Sequence, residues 1–202
     1  MYYRALGSTG ITVSEVGMGC NRWGEAAMPD SHWKDLVHKA VDLGVTLFDT
    51  SESYGWGRSE EVLGQALGNR DDVVIATKVS RVQGTNAKDF SSARILQQAS
   101  ISALIFSGIF RVIAVSINDA ASGEWLVQQG LAQVFQVAYN LLEPETGDII
   151  FPQAQAQGVG IMVRVPMAQG ILTGKFRPGE TVAEGHRAHL AGQKMANLIE
   201  RA

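Results

Sequence analysis

Three ionisable residues in the first half of the chain stand where parallel α/β proteins do chemistry. Asp49 closes the apolar run VTLFDT, Tyr54 follows shortly after it, and Lys78 closes the run VVIATK. Each lies at or just past the C-terminal end of a predicted parallel strand, the edge at which such folds place their active sites. A lysine beside a tyrosine hydroxyl favours the phenolate and draws a phenol down from its ordinary value of about 10, while a carboxylate beside the lysine keeps the ammonium charged and oriented. A tyrosine in that setting serves as a general acid near neutral pH. Because a tenfold change in acidity corresponds to about 1.4 kcal/mol, the lysine must be close and partly desolvated. The same residues have plain structural uses: Asp49 caps a turn, Tyr54 packs over the strand ends, and Lys78 is a solvated loop lysine. On residue type and position alone the two assignments stand level.

The elements that must hold these residues follow from apolar spacing. The opening YYRALGSTGITVSEVGMG has two short extended runs separated by Gly7, Ser8, Thr9 and Gly10, the composition of a hairpin turn followed by a strand. Trp33, Leu36, Val37, Ala40 and Val41 follow the spacing of an amphipathic helix, which Asp30 or Ser31 would cap and Gly44 would end. VTLFDT is too continuously apolar to be half exposed and suits a parallel strand covered on both faces. A second helix carries Glu60 and Glu61 in its first turn, where the helix dipole favours negative charge, and Val62, Leu63, Ala66 and Leu67 as its apolar stripe before Gly68.

Six barrel or sheet strands are predicted, at Ser14–Gly19, Val45–Thr50, Val73–Lys78, Arg111–Ser116, Val134–Tyr139 and Gly160–Pro166, with helical or loop stretches such as EWLVQQG and PQAQAQG between the later ones. Their alternation with helices implies a parallel sheet, doubly wound or closed into a barrel. Ser91 to Phe110 breaks the rhythm: a helix-like SSARILQQASISAL runs into IFSGIF, as though one strand-helix unit were absent. At the other end HLAGQKMANLIERA reads as an amphipathic helix.

Composition narrows the function classes. With 202 residues, 46% hydrophobic and 18% charged, the chain suits one globular domain. A net charge of -3 without a run of five like charges offers no footprint for nucleic acid. MYYRALGSTG lacks the apolar core of a signal peptide and no stretch is long enough to span a bilayer, so a cytoplasmic protein with no membrane partner is expected. The single cysteine, Cys20, reads as a small buried residue rather than a metal ligand.

DTSESYGWGRSEEVLGQAL followed by VVIATK resembles the signature of the aldo-keto reductase superfamily, and RVPMAQGILTGKF resembles its phosphate-side loop. The resemblance implies an α/β fold, a TIM-type β/α barrel with an N-terminal hairpin. It would be one domain over 1–202 with about six of the family's eight strands, lacking the fourth-strand region near 103–110 and the C-terminal strand. It also implies reduction of a small aldehyde or ketone by NADPH, with NADH as the alternative. Tyr54 would protonate the carbonyl oxygen, with Lys78 and Asp49 tuning it. Ser116 and Gln136 would hold the nicotinamide carboxamide, Arg164 would sit near the cofactor ring, and the loop carrying Gly170, Leu172, Gly174 and Lys175 would wrap the pyrophosphate through backbone amides and one positive charge.

The chain departs from that pattern in two ways. Nothing between Lys78 and Ser116 matches the family's catalytic histidine, and His32, His38, His186 and His189 read as surface or helix residues. Losing such a donor lowers turnover roughly 10²- to 10³-fold by analogy with oxyanion-hole deletions. Fewer strands also change a barrel's diameter and leave open edges through which a second copy can pair. Two other functions therefore stay in view: a catalytically inactive cofactor-binding or interaction protein, and an aldolase using Lys78 as a Schiff-base nucleophile.

Overall fold

The computed structural model describes residues 1–23, 28–79, 82, 85, 87–106, 111–177 and 192–201. The chain divides into two units, Met1–Ala5 with Thr12–Arg111, and Leu6–Ile11 with Val112–Ala202, and each is taken by itself.

In the first unit, β1 (Tyr3–Ala5) and β2 (Thr12–Ser14) pair antiparallel as the hairpin strands, with Tyr3 opposite Ser14. There follow β3 (Met18–Gly19), α1 (Asp30–Asp42), β4 (Leu47–Asp49), a 3-10 turn (Tyr54–Gly57), α2 (Arg58–Leu67), β5 (Val74–Ala76) and α3 (Ser92–Phe106). The sheet runs β3-β4-β5, all parallel, with Phe48 opposite Ile75 and Asp49 opposite Ala76. Phe48, Val45 and Cys20 pack with Val37 and Ala40 of α1 and Leu63 and Leu67 of α2, the stripes that the apolar spacing predicts. Since Phe48 and Ile75 point at the helices, strand alternation turns Asp49, Ala76 and Lys78 to the opposite face.

The predicted strands Val45–Thr50 and Val73–Lys78 shorten to Leu47–Asp49 and Val74–Ala76, and two further boundaries move. Ser14–Gly19 is not one strand: Ser14 ends the hairpin strand, its N–H donating to Thr46 Oγ1 at 2.8 Å and its Oγ accepting from Thr46 N–H at 2.9 Å, and the parallel strand is Met18–Gly19 alone. Helix α1 begins at Asp30 after Pro29, without a side-chain cap, and Gly44 lies just past its end at φ +86°.

α3 packs against α2 with Gln98 and Ser102 buried, while Leu96 and Leu104 stand 67% and 81% exposed. Polar residues thus take part in its inner face beside Ile105 and Phe106, while several of its large apolar residues stand in water. This helix occupies the stretch where the strand-helix rhythm breaks.

In the second unit the strands β6 (Ala114–Ile117), β7 (Val134–Ala138) and β8 (Gly160–Arg164) form a parallel sheet in that order, with α4 (Ala120–Gln129) and α5 (Glu145–Ala156) as crossovers. A 3-10 turn (Ala168–Thr173) and α6 (Gly192–Arg201) follow. α4 starts where the Asp119 carboxylate accepts the Ser122 N–H at 2.8 Å and ends at Gly130. β6 begins at Ala114 rather than Arg111, because the Gln133 side chain accepts the Ile113 N–H at 3.2 Å. Ile117, Phe135, Val137 and Ile161 pack with Val127 and Ile150 of the helices. Alternation therefore sends Ser116, Gln136, Met162 and Arg164 to the other face.

The turn Leu6–Ile11 lies against the start of β8, where the Ser8 N–H donates to the Gly158 carbonyl at 2.7 Å. At Gly7 a Cβ would fall 2.3 Å from Gly160 N and 2.4 Å from Gly158 O, and its φ of +58° is one that side chains avoid. Gly7→Ala should therefore lower stability by at least about 2 kcal/mol, as combined strain and overlap imply. Urea unfolding followed by circular dichroism measures this, and an unchanged midpoint would contradict the close approach.

Candidate active site

The three residues at the β4 and β5 ends come together in the first unit. Lys78 lies two residues past β5, and its ammonium donates to Asp49 Oδ1 at 2.5 Å and to the Thr50 carbonyl at 2.9 Å. Both side chains of the pair are about three-quarters shielded from solvent, with exposures of 24% and 22%. Tyr54 opens the 3-10 turn, and Lys78 Nζ lies 5.1 Å from the centre of its ring. A cation over an aromatic face contributes about 0.5–2 kcal/mol depending on desolvation. The turn itself has left-handed backbone at Gly55, Trp56 and Gly57, with Trp56 at φ +53°, a conformation costly for a residue with a side chain.

Around this pair the strand ends are tied by the Thr50 N–H donating to the Ala76 carbonyl at 2.8 Å and the Glu52 N–H to the Lys78 carbonyl at 3.2 Å. Glu52 is buried and forms an ion pair with Arg94 of α3. Ser59 and Glu60, at the start of α2, are both fully buried. Sequence reasoning gave Glu60 only a helix-dipole role and passed over Ser59. The signal was present: Glu60 falls at i, i+3, i+7 with Leu63 and Leu67, the inward stripe of the helix.

Cys20 is buried behind the same strand ends, its N–H donating to the Asp49 carbonyl at 2.8 Å. Burial pushes its thiol far above the ordinary thiol range, and the negative charge of Asp49 adds to the effect. The expected small buried cysteine is what the structure contains.

The second unit brings Ser116, Gln136 and Arg164 to one face of one sheet. Ser116 sits opposite Gln136 in register, and Gln136 opposite Met162. Gln136 is 6% exposed within the otherwise apolar VFQVA strand, while Ser116 is open to solvent. The Arg164 guanidinium donates to Asn118 Oδ1 at 2.6 Å and to the Ile117 carbonyl at 3.4 Å, which makes Asn118 a candidate that the sequence did not single out. A hydroxyl and an amide side by side on a strand row suit the donor and acceptor set of a carboxamide.

Past β8 the backbone is left-handed at Val165, Ala168, Gln169 and Gly170. The N–H groups of Gly170 and Leu172 both donate to the Met167 carbonyl, at 2.8 and 3.3 Å, and that of Gly174 to the Ile171 carbonyl at 3.1 Å. These amides close the turn on itself, so the loop's provision for an anion rests on Lys175 rather than on them. The Lys175 chain folds back across Gly170, where a Cβ would fall 2.9 Å from its Cε, and its Nζ lies 5.0 Å from the Phe176 ring centre. His32 and His38 are exposed on α1, and His186 and His189 lie outside the described residues. Among the described residues no helix is long and apolar enough to cross a membrane.

The model of the family described as "Aldo/keto reductase family" matches residues 15–104 and 97–201. An uncharacterised oxidoreductase of Mycobacterium bovis is 33% identical over 211 aligned positions, covering 83% of this chain and 64% of that protein. An aldo-keto reductase of Bacillus subtilis is 26% identical, covering 87% of this chain and 65% of that one. The chain thus spans just under two thirds of the length of these relatives. Among solved structures, a putative aldo-keto reductase from Pseudomonas aeruginosa superposes with a TM-score of 0.71 at 28% identity, over 80% of this chain and 76% of that one.

The raised Cys20 thiol has a consequence for stability. In the unfolded chain the thiol ionises near about 8.5 while the folded one stays protonated, so the unfolded state loses its proton first as pH rises. The stabilising contribution is complete below that pH and declines above it, by up to about 1.4 kcal/mol per pH unit. Cys20→Ala should remove this increment from the alkaline slope of unfolding free energy between about pH 8.5 and 10, and parallel slopes for the two proteins would refute it.

Proposed function

The chain belongs to the aldo/keto reductase family, and on that premise we propose that it reduces the carbonyl group of a small aldehyde or ketone with a nicotinamide dinucleotide, NADPH in preference to NADH. The observation that carries this reading is the Lys78 ammonium, held by Asp49 at 2.5 Å beside the ring of Tyr54. The likeness to solved aldo-keto reductases supports taking the six parallel strands as those of one shortened β/α barrel domain over 1–202.

The reduced nicotinamide, when bound, supplies a hydride to the carbonyl carbon. Tyr54 delivers the proton to the carbonyl oxygen, and the positive charge of Lys78 stabilises the phenolate left behind. Asp49 keeps that ammonium oriented. Ser116 and Gln136 would hold the carboxamide, Arg164 with Asn118 would face the ring, and Lys175 in the Gly170, Leu172, Gly174 loop would meet the pyrophosphate. A lysine whose ammonium already donates to a carboxylate and a carbonyl serves charge and orientation, which favours this reading over a Schiff-base aldolase.

His32 and His38 stand on exposed positions of α1, which supports a second reading, a cofactor-binding protein without turnover. A reductase lacking a histidine donor would turn over about 10²- to 10³-fold below one that has it.

Titration of the protein with NADPH and NADH, read by nucleotide fluorescence, followed by oxidation of the bound nucleotide with 4-nitrobenzaldehyde, separates the readings. Tyr54→Phe should leave nucleotide binding intact and lower kcat at least about 10²-fold, the contribution of a positioned general acid. Binding without turnover in the unaltered protein would favour the second reading, and absence of binding would overturn both.

A further inference from the structure

The proposed chemistry draws its groups from three separate segments, yet β4 and β5 have three residues each and Tyr54 sits on a turn of left-handed backbone. We infer that Ser59 and Glu60, the first buried residues of α2, form a polar clamp that positions Asp49, Tyr54 and Lys78. The clamp's role in turnover rests on the reductase reading; its geometry does not.

Each member is tied to a residue next to one of the three. Ser59 Oγ donates to the Cys20 carbonyl at 2.8 Å and shares a hydrogen bond of 2.9 Å with Thr50 Oγ1, so it joins the end of β3 to the residue after Asp49. Cys20 in turn donates its N–H to the Asp49 carbonyl. Glu60 Oε1 accepts from Thr77 Oγ1 at 2.6 Å, the residue before Lys78, and from Ser102 Oγ of α3 at 2.7 Å. Tyr54 is linked covalently, because its 3-10 turn runs straight into α2 at Arg58. One dipeptide therefore touches the β3, β4 and β5 ends and α3, and is itself the continuation of the Tyr54 turn.

The choice of residues is not explained by packing. The rest of this inward face is Val62, Leu63, Gly64 and Leu67, and both clamp residues are fully buried. Among the described residues Glu60 Oε2 is buried with no hydrogen-bond partner, an arrangement that an apolar side chain of similar size would avoid. Hydrophobic contact is non-directional, whereas two hydroxyl-to-carboxylate bonds fix distance and angle. A buried carboxylate at this point trades stability for placement, and through Thr77 it is tied to the residue next to Lys78.

The test reads Lys78 directly, without cofactor or substrate. Trace acetylation of the full chain with isotopic acetic anhydride, followed by mass spectrometry, gives the labelling rate of Lys78 relative to Lys39 and Lys88, which are exposed. Thr77→Val keeps side-chain shape and removes the hydroxyl that joins Glu60 to the β5 end. It should raise relative Lys78 labelling about two- to tenfold, the range spanned by one net hydrogen bond. Glu60→Ala should do the same, Glu60→Gln, whose amide oxygen still accepts, should restore most of the protection, and Ser102→Ala, which loosens only the α3 side, should leave Lys78 protected.

Unchanged Lys78 labelling in Thr77→Val overturns the clamp whatever the turnover. Raised labelling together with a lower kcat and an unchanged carbonyl KM supports it as a positioning device. Raised labelling in a protein whose unaltered form reduces no carbonyl supports the clamp and refutes the reductase reading.

Discussion

The bond from the Lys78 ammonium to the Asp49 carboxylate organises the first unit. Exposed ion pairs contribute little, at most about 1 kcal/mol, and a shielded pair is favourable only when its remaining donors are satisfied. Lys78 meets that condition by giving a second hydrogen to the Thr50 carbonyl and turning toward the Tyr54 ring, so its head group has one orientation. This is possible because β4 and β5 are parallel neighbours with Asp49 opposite Ala76. Both strands end at the same edge, and a side chain two residues beyond one end reaches back to the last residue of the other. An antiparallel pair would have sent the two groups to opposite ends of the sheet.

Backbone strain is concentrated at the same edges. Among the described residues, the non-glycine positions with left-handed backbone are Trp56, Val165, Ala168 and Gln169. The first lies in the turn that carries Tyr54, and the others in the segment that joins β8 to the Lys175 loop. Each such residue costs about 1–3 kcal/mol and persists only where its surroundings over-determine it. In the first turn the surroundings are α2 and its buried polar start; in the second they are the hydrogen bonds that Gly170, Leu172 and Gly174 return to Met167 and Ile171. The second case shows why composition misleads about loops. Glycines that the resemblance reads as openings for a phosphate also let the turn bond to itself.

What could be read from the sequence were the features with a period. α1, α2 and the six parallel strands were legible because apolar residues recur at the spacing of the element, and Asp49, Tyr54 and Lys78 because strand ends are where charged residues interrupt apolar runs. The features set by single polar side chains were not. Ser14 leaves the predicted Ser14–Gly19 strand because its hydroxyl and amide exchange with Thr46, and Gln133 delays β6 by accepting from Ile113. Neither exchange has a local pattern. Glu60 was read in part only: it does stand in the first turn of α2, but a carboxylate there has a surface explanation, and the dipole argument concealed its place on the inward stripe.

α3 shows how the same polar contacts set a register that apolar packing would leave loose. Its Arg94 pairs with buried Glu52, its Ser102 donates to Glu60, and its outward face leaves Leu96 and Leu104 in water. Burying those leucines would have contributed roughly 1.5–3 kcal/mol each, but an apolar face tolerates sliding and rotation that a pair of directed bonds does not. Close approach is part of the arrangement, since at Gly64 a Cβ would meet Ile105 Cγ2 at 2.8 Å and its carbonyl oxygen at 2.9 Å. The helix thus stands against α2 where only glycine admits it, at the height that brings Ser102 to the carboxylate. In a stretch where the alternation of strand and helix fails, α3 is therefore fixed by directed polar bonds to Glu52 and Glu60, and its large apolar residues Leu96 and Leu104 stand in water.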